Sequence, residues 1–127
     1  MRAISYAEKG PSTVMKLTER PTPEPESGQV RVRMIRAGVN PTDWKSRSDT
    51  GSAMAFPAIT PGQDGAGIVD AVGIDVSHLS AGMRAWLYLG QYGLPYGTAA
   101  EYCVLDADRA VRLPDSLIGD AAFDLGA

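Results

Sequence analysis

Short apolar segments, each ended by glycine or proline, follow one another along the whole chain and restrict the folds open to it. The 127 residues include 14 Gly and 9 Pro, spread between the apolar segments rather than gathered in one tract. Short strands spaced roughly 8–12 residues apart are typical of a β-barrel or a β-sandwich. No strand signal alternates with a long helix, as a nucleotide-binding βαβ unit requires. The sequence therefore predicts a mainly β barrel with short peripheral helices.

Charge and composition argue against several classes of partner. The 12 basic and 15 acidic residues are interspersed, and the net charge of −3 supplies no basic stripe for nucleic acid. No apolar run approaches the roughly 20 residues that cross a bilayer. The single cysteine, Cys103, cannot form an intramolecular disulfide, and the first residues lack a signal-peptide core. We expect a cytoplasmic protein with no nucleic-acid partner and no membrane span, and we leave a homo-oligomer open.

Apolar and polar, mostly basic, residues alternate over the first six positions of the run from Gln29 to Arg36, which predicts a strand with one solvent-exposed face. Three prolines between Arg20 and Gly28 predict an extended surface connection, because proline fixes φ and removes a donor. Further strands are predicted at Arg2 to Tyr6, Val14 to Leu17, Gly67 to Val72, Met83 to Leu89, Thr98 to Leu105 and Ala110 to Pro114.

A short helix is predicted from about Pro41 to Arg47. Asn40 suits the capping position, Pro41 the first helical position, and Asp43 the positive end of the helix dipole. The segment from Ser48 to Pro61 has no periodicity and predicts a long loop, a candidate active-site flap. A final helix is predicted over Leu117 to Leu125.

The glycines at 62, 65 and 67 have the order G-x-x-G-x-G, whereas the dinucleotide fingerprint is G-x-G-x-x-G. The fingerprint joins a strand to a helix whose amino terminus faces pyrophosphate, but here a loop leads into a strand. We therefore interpret these glycines as sites of close backbone approach rather than as a phosphate cradle.

From about Val30 to Leu113 the sequence resembles the GroES-like catalytic domain of the medium-chain dehydrogenase/reductase superfamily, in its zinc-free quinone oxidoreductase-like branch. The runs Gly38-Val39-Asn40-Pro41-Thr42-Asp43 and Pro61-Gly62-Gln63-Asp64-Gly65-Ala66-Gly67-Ile68-Val69 carry the resemblance. It implies one amino-terminal GroES-like domain over residues 1–127, with a core at about 30–113. The Rossmann domain that binds the dinucleotide in this family is absent from the chain.

The resemblance also bears on zinc. Zinc-dependent members have Cys where Asn40 stands and His where Gln63 stands. Neutral amides bind zinc weakly compared with thiolate and imidazole, so we expect no metal. The lone His78 lies between two predicted strands, and we interpret it as a surface-loop residue.

Members of the resembled branch reduce the carbon–carbon double bond of a quinone or an α,β-unsaturated carbonyl with NADPH. The resemblance implies that Asn40 donates a hydrogen bond to the substrate carbonyl or the nicotinamide ribose. Lys45, about one helical turn away, would reach a cofactor phosphate or an enolate oxygen. Asn40 and Lys45 are thus the predicted catalytic and cofactor-binding residues, with Gln63 and Asp64 as substrate-binding residues. The alternatives are a plain helix cap for Asn40 and a solvated charge for Lys45.

Tyr92 and Tyr96 lie in a loop rich in Gly and Pro before the family's Gly-x-x-Ala-Glu-Tyr run at residues 97–102. They are predicted substrate-binding residues that would face a flat ring; the alternative is that they are packing groups. Cys103 is interpreted as a small core residue.

Two functions follow. The first is the substrate side of a zinc-independent, NADPH-dependent quinone or enone reductase, inactive as an isolated chain because its partner, the dinucleotide-binding domain, is missing. The second is a free-standing GroES-like module for binding or assembly. The particular quinone or enone and the choice of NADPH over NADH stay open.

Overall fold

Antiparallel strands make up most of the computed structural model, which describes residues 1–117. In that range the strands are β1 (Arg2–Ser5), β2 (Lys16–Glu19), β3 (Gln29–Ala37), β4 (Gly65–Val72), β5 (Arg84–Leu87), β6 (Tyr102–Asp106) and β7 (Ala110–Arg112). The helix α1 spans Pro41–Ser48, and two 3₁₀ turns span Ser12–Val14 and Ala107–Arg109. The mainly β prediction is confirmed.

Five strands form one curled sheet in the order β6-β3-β4-β5-β7, and β1 pairs with β2 in a separate hairpin. The central pair β3–β4 runs from Val30 opposite Val72 to Ala37 opposite Gly65, with two register shifts. Such bulges bend a strand and increase its twist, which helps a sheet curl into a half-barrel.

The core lies inside this half-barrel and follows the period of two predicted for β3. Val30 and Val32 are fully buried, whereas Arg31 between them is partly exposed and Arg33 after them is exposed. They pack with Val69, Leu105 and the other buried residues of the cluster. The strand predicted from Gln29 is therefore confirmed, because alternate side chains point to opposite faces.

Glycine allows β3 and β4 to lie closely together. A Cβ at Gly67 would overlap the carbonyl oxygen of Arg33 and lie 2.9 Å from a Val32 methyl carbon. Gly65 is the first residue of β4, so a loop does lead into a strand here. The interpretation of close backbone approach is confirmed.

Two predicted strand ends are wrong. Val14 belongs to the 3₁₀ turn Ser12–Val14, because its N–H bonds to the Pro11 carbonyl within the short connection between β1 and β2. Tyr88 and Leu89 lie beyond β5, where Leu89 has a φ of 50° and leaves the extended conformation.

The predicted start of the strand at Thr98 is also wrong, since β6 begins at Tyr102. The N–H groups of Thr98 and Ala99 donate to the carbonyls of Gly62 and Pro61, so this segment is tied to the loop before β4. Apart from Leu117, the predicted final helix lies outside the described residues. Within residues 1–117 no helix has the length and apolarity to cross a bilayer.

Candidate active site

The helix α1 begins at the position predicted for its cap. The Asn40 N–H donates to Asp43 Oδ2 at 2.7 Å, and the Asp43 N–H donates to the Asn40 carbonyl at 3.0 Å. Pro41 occupies the first turn, where a missing N–H costs nothing. These local contacts fix Asn40 at the positive end of the helix dipole.

Asp64 connects the run at residues 61–69 with the run at residues 38–43. Asn40 Nδ2 donates to Asp64 Oδ1 at 2.9 Å. The Asp64 carbonyl accepts hydrogen bonds from the Gly38 N–H at 2.9 Å and from the Thr98 hydroxyl at 2.8 Å. Two of the predicted site residues therefore touch directly, although 24 positions separate them.

Gln63 connects this pair to the loop after β5. Its carbonyl accepts the Gly90 N–H at 2.7 Å, and its side-chain Oε1 accepts the Gln91 N–H at 3.1 Å. The structure thus places Asn40, Gln63 and Asp64 on adjoining segments. The amide oxygen of Gln63 already serves a main-chain donor, so this side chain holds the loop in place.

Lys45 is exposed on α1, and its ammonium lies 5.6 Å from the centre of the Trp44 ring. The carboxyl end of the same helix is tied to the amino-terminal segment. Gly10 and Arg47 exchange hydrogen bonds, at 2.8 Å from the Gly10 N–H and at 3.3 Å from Arg47 Nε. The helix that carries Asn40 and Lys45 is therefore held at both ends.

Tyr92 and Tyr96 contact arginines. The Arg109 guanidinium lies 5.5 Å from the Tyr92 ring centre, and the Arg20 guanidinium lies 3.8 Å from the Tyr96 ring centre. Tyr92 is 64% exposed and Tyr96 is 42% exposed, so each ring also has a partly buried face. Their role against a substrate ring stays a prediction.

Sequence reasoning missed Arg20, a cation in the interior of the fold. Its Nη1 donates to the Thr60 hydroxyl at 2.6 Å, while Nε and Nη2 are buried and have no hydrogen-bond partner. Burial lowers the pKa of Arg20, and the neighbouring Tyr96 opposes that change. No local signal in the sequence marks Arg20, because it follows β2 and precedes a proline-rich stretch that is typical of a solvated surface.

Sequence reasoning also missed the position of Tyr6 beside the predicted flap. It is 3% exposed, exchanges two main-chain hydrogen bonds of 2.9 Å with Ile59, and thereby anchors the end of the predicted flap. Burial raises the pKa of Tyr6, Arg47 lowers it, and Asp43 raises it further. The phenol therefore lies within electrostatic reach of α1.

The one histidine and the one cysteine of the sequence lie where sequence reasoning placed them. His78 is exposed in the loop between β4 and β5, with Nε2 3.1 Å from the Ala107 carbonyl. Cys103 is 2% exposed in the core, and burial raises the pKa of its thiol to about 12. In residues 1–117 no three His, Cys, Asp or Glu side chains are grouped so as to hold a metal.

The fold is that of a GroES-like domain. Residues 26–115 match the alcohol dehydrogenase GroES-like domain family, so the chain belongs to that family. The predicted resemblance to the quinone oxidoreductase branch of the medium-chain superfamily is confirmed by the relatives below.

Two curated relatives and two solved structures, all quinone oxidoreductases, are similar to this chain. The quinone oxidoreductase of the mouse is 36% identical over 118 residues, which cover 92% of this chain and 34% of the relative. The quinone oxidoreductase of Lama guanicoe is also 36% identical, over 100% of this chain and 36% of the relative. The Escherichia coli quinone oxidoreductase complexed with NADPH has a TM-score of 0.82 at 26% identity, covering 96% of this chain and 36% of that one. The quinone oxidoreductase of Coxiella burnetii has a TM-score of 0.81 at 28% identity, covering 93% and 38%. The chain spans about a third of the length of these relatives.

Proposed function

We propose that the chain is the substrate side of a zinc-independent, NADPH-dependent reductase of quinones and α,β-unsaturated carbonyls. The observation that carries the proposal is the contact between Asn40 and Asp64 at the start of α1. In this contact a carboxylate holds a neutral amide, and the predicted resemblance aligns that amide with a thiolate of zinc-dependent members, which supports the proposal. The names of the relatives and the NADPH in the E. coli complex support the class of substrate and of cofactor.

NADPH, when bound, would supply a hydride to the substrate double bond. Hydride addition to an enone builds negative charge on its carbonyl oxygen, and a fixed N–H donor stabilises that charge. Asn40 keeps a second Nδ2 hydrogen beyond the one that Asp64 accepts. We assign this hydrogen to the substrate carbonyl, and the exposed ammonium of Lys45 to cofactor or enolate oxygens.

The proposal is tested by alanine substitution in a longer polypeptide that joins this chain to a dinucleotide-binding domain. One lost donor to a developing oxyanion costs roughly 100-fold or more in kcat, and we expect a loss of that order for Asn40→Ala. Ser77→Ala is the control, because this exposed residue lies in the loop between β4 and β5, outside the hydrogen-bonded group of Asn40, Gln63 and Asp64. Equal kcat values for Asn40→Ala and the parent protein would exclude a role of Asn40 in the chemical step.

Zinc independence is a separate part of the proposal. Asn40 Nδ2 and Gln63 Oε1 both take part in hydrogen bonds within the protein, and amides are weak zinc ligands. We expect full reductase activity after dialysis against a chelator, with metal content measured by mass spectrometry. Stoichiometric zinc that persists through dialysis, together with activity that depends on it, would contradict this part.

We also propose that the isolated 127 residues do not turn over substrate. The strands of the described five-stranded sheet pair in antiparallel fashion and form no βαβ unit. Quinones, enals and 2-alkenones should be reduced by the longer polypeptide with NADPH or NADH, and not by the isolated chain. Turnover by the isolated chain would refute the proposal, and a longer polypeptide that binds ligands without any turnover would favour the binding-module function.

A further inference from the structure

Asp64 is held by its main chain, independently of its carboxylate. Its carbonyl accepts two hydrogen bonds, from the Gly38 N–H and the Thr98 hydroxyl. Gly65, the next residue, begins β4 in the middle of the sheet. The carboxylate therefore projects toward Asn40 from a rigid position, as a group that orients a neighbour must do.

A carboxylate dictates which end of an amide faces it. An ionised carboxyl group only accepts hydrogen bonds, whereas an amide has a donor end and an acceptor end. Rotation of the Asn40 amide by half a turn would bring Oδ1 against Asp64 Oδ1 and replace the 2.9 Å hydrogen bond by repulsion. Nδ2 must therefore face Asp64, and Oδ1 and the second N–H face away from it.

We propose that Asp64 is a positioning residue that holds the Asn40 amide in one orientation, rather than a residue that binds substrate itself. The orientation is a property of the described chain alone. Its catalytic consequence rests on the proposed function, because only then does the outward N–H meet a substrate carbonyl.

Asn40 is the one asparagine in the sequence, which makes the orientation directly measurable. Asparagine labelled with ¹⁵N at its side-chain amide gives one pair of NH₂ cross-peaks in the 127-residue protein, one for each amide proton of Asn40. A hydrogen bond to a charged acceptor contributes about 1.5–3 kcal/mol, so we expect the proton facing Asp64 to exchange with water roughly 10- to 100-fold more slowly than the other. In Asp64→Ala this difference should disappear.

Two further variants keep the test decisive. Asp64→Leu keeps the branched shape and the four side-chain heavy atoms without an acceptor and should also lose the slow proton, which covers the case in which Asp64→Ala fails to fold. Asp106→Ala removes an exposed carboxylate at the end of β6 and should leave the Asn40 signal unchanged. If the slow proton persists in a folded Asp64→Ala or Asp64→Leu protein, the proposal is wrong.

Kinetics of the longer polypeptide separate positioning from the proposed function. A residue that acts through Asn40 gives non-additive losses, so Asp64→Ala should lower kcat/KM in the parent but change it less than about 2-fold in the Asn40→Ala background. Additive losses would overturn the positioning role. If the longer polypeptide reduces no quinone or enone, the proposed function fails, while the NMR experiment still decides whether Asp64 orients Asn40.

Discussion

Replacing Gly67 by alanine tests whether the close approach of β3 and β4 requires a glycine at this position. The added Cβ would overlap the Arg33 carbonyl oxygen and lie 2.9 Å from both the Arg33 carbonyl carbon and a Val32 methyl carbon. Ordinary contacts between non-bonded carbon atoms are about 3.5–4.0 Å, and the overlap with the oxygen is tighter still, so β3 and β4 would have to separate by at least about 1 Å at this point. They form the central pair of the sheet, where such a displacement spreads to the neighbouring strands.

Overpacking costs about 1–3 kcal/mol, and a clash with main-chain atoms of a central strand lies toward the upper end of that range, while the loss of glycine freedom in the unfolded chain returns about 0.4–1 kcal/mol. We expect Gly67→Ala to lower the free energy of unfolding by about 2 kcal/mol. For a domain of this size that corresponds to a fall in Tm of roughly 6–10 °C.

Urea unfolding followed by circular dichroism measures this difference from the shift in midpoint at constant slope. Gly51→Ala is the matched control, since a Cβ there meets the Asp49 carboxylate at 3.3 Å and φ is not in the left-handed region. The control should change stability by less than about 0.5 kcal/mol. If Gly67→Ala is as stable as the parent protein, close approach of the strands does not explain this glycine.

Three other predictions concern charge and burial. Asn40→Asp places a second carboxylate beside Asp64 and should cost about 1 kcal/mol or more at pH 7, with the cost falling as both groups protonate, measured by urea unfolding at several pH values. Burial raises the pKa of Cys103 to about 12, so a disulfide reagent at pH 8 should label it at least about 1000-fold more slowly in the folded protein than in urea; equal rates would refute its burial. The main-chain N–H and then the guanidinium of Arg2 lower the pKa of Glu101. A carboxyl group with a lowered pKa stabilises the fold at pH values above its ordinary pKa, and this stabilisation is lost as the pH falls through the lowered pKa. Between about pH 5 and 3 the free energy of unfolding should therefore fall less in Glu101→Gln than in the parent protein.

Local sequence signals predicted the features that depend on a few neighbouring residues. The cap at Asn40 and the proline after it place the start of α1, because both act within one helical turn. The alternation in β3 identifies its buried face, because side chains alternate along any strand. The errors at Val14 and Thr98 have a common reason, since the hydrogen bonds of these segments go to turns and loops that apolar composition does not reveal.

Long-range contacts account for what sequence reasoning missed. Arg20 is hydrogen-bonded to Thr60, 40 positions away, and stacked on Tyr96. In the sequence it stands before a proline-rich stretch that is typical of a solvated surface. Only the packing of the β1–β2 hairpin against the rest of the fold encloses its guanidinium.

By itself the sequence determined the strand periodicity, the helix start at Asn40 and the glycines that allow β3 and β4 to meet. The tertiary structure decided that Asn40 faces Asp64 and that Gln63 supports the neighbouring loop. Backbone preferences are local and can be read along the chain, whereas the direction of a side chain toward a distant partner depends on sheet register and loop paths. Those are set by the burial and hydrogen bonding of the whole fold.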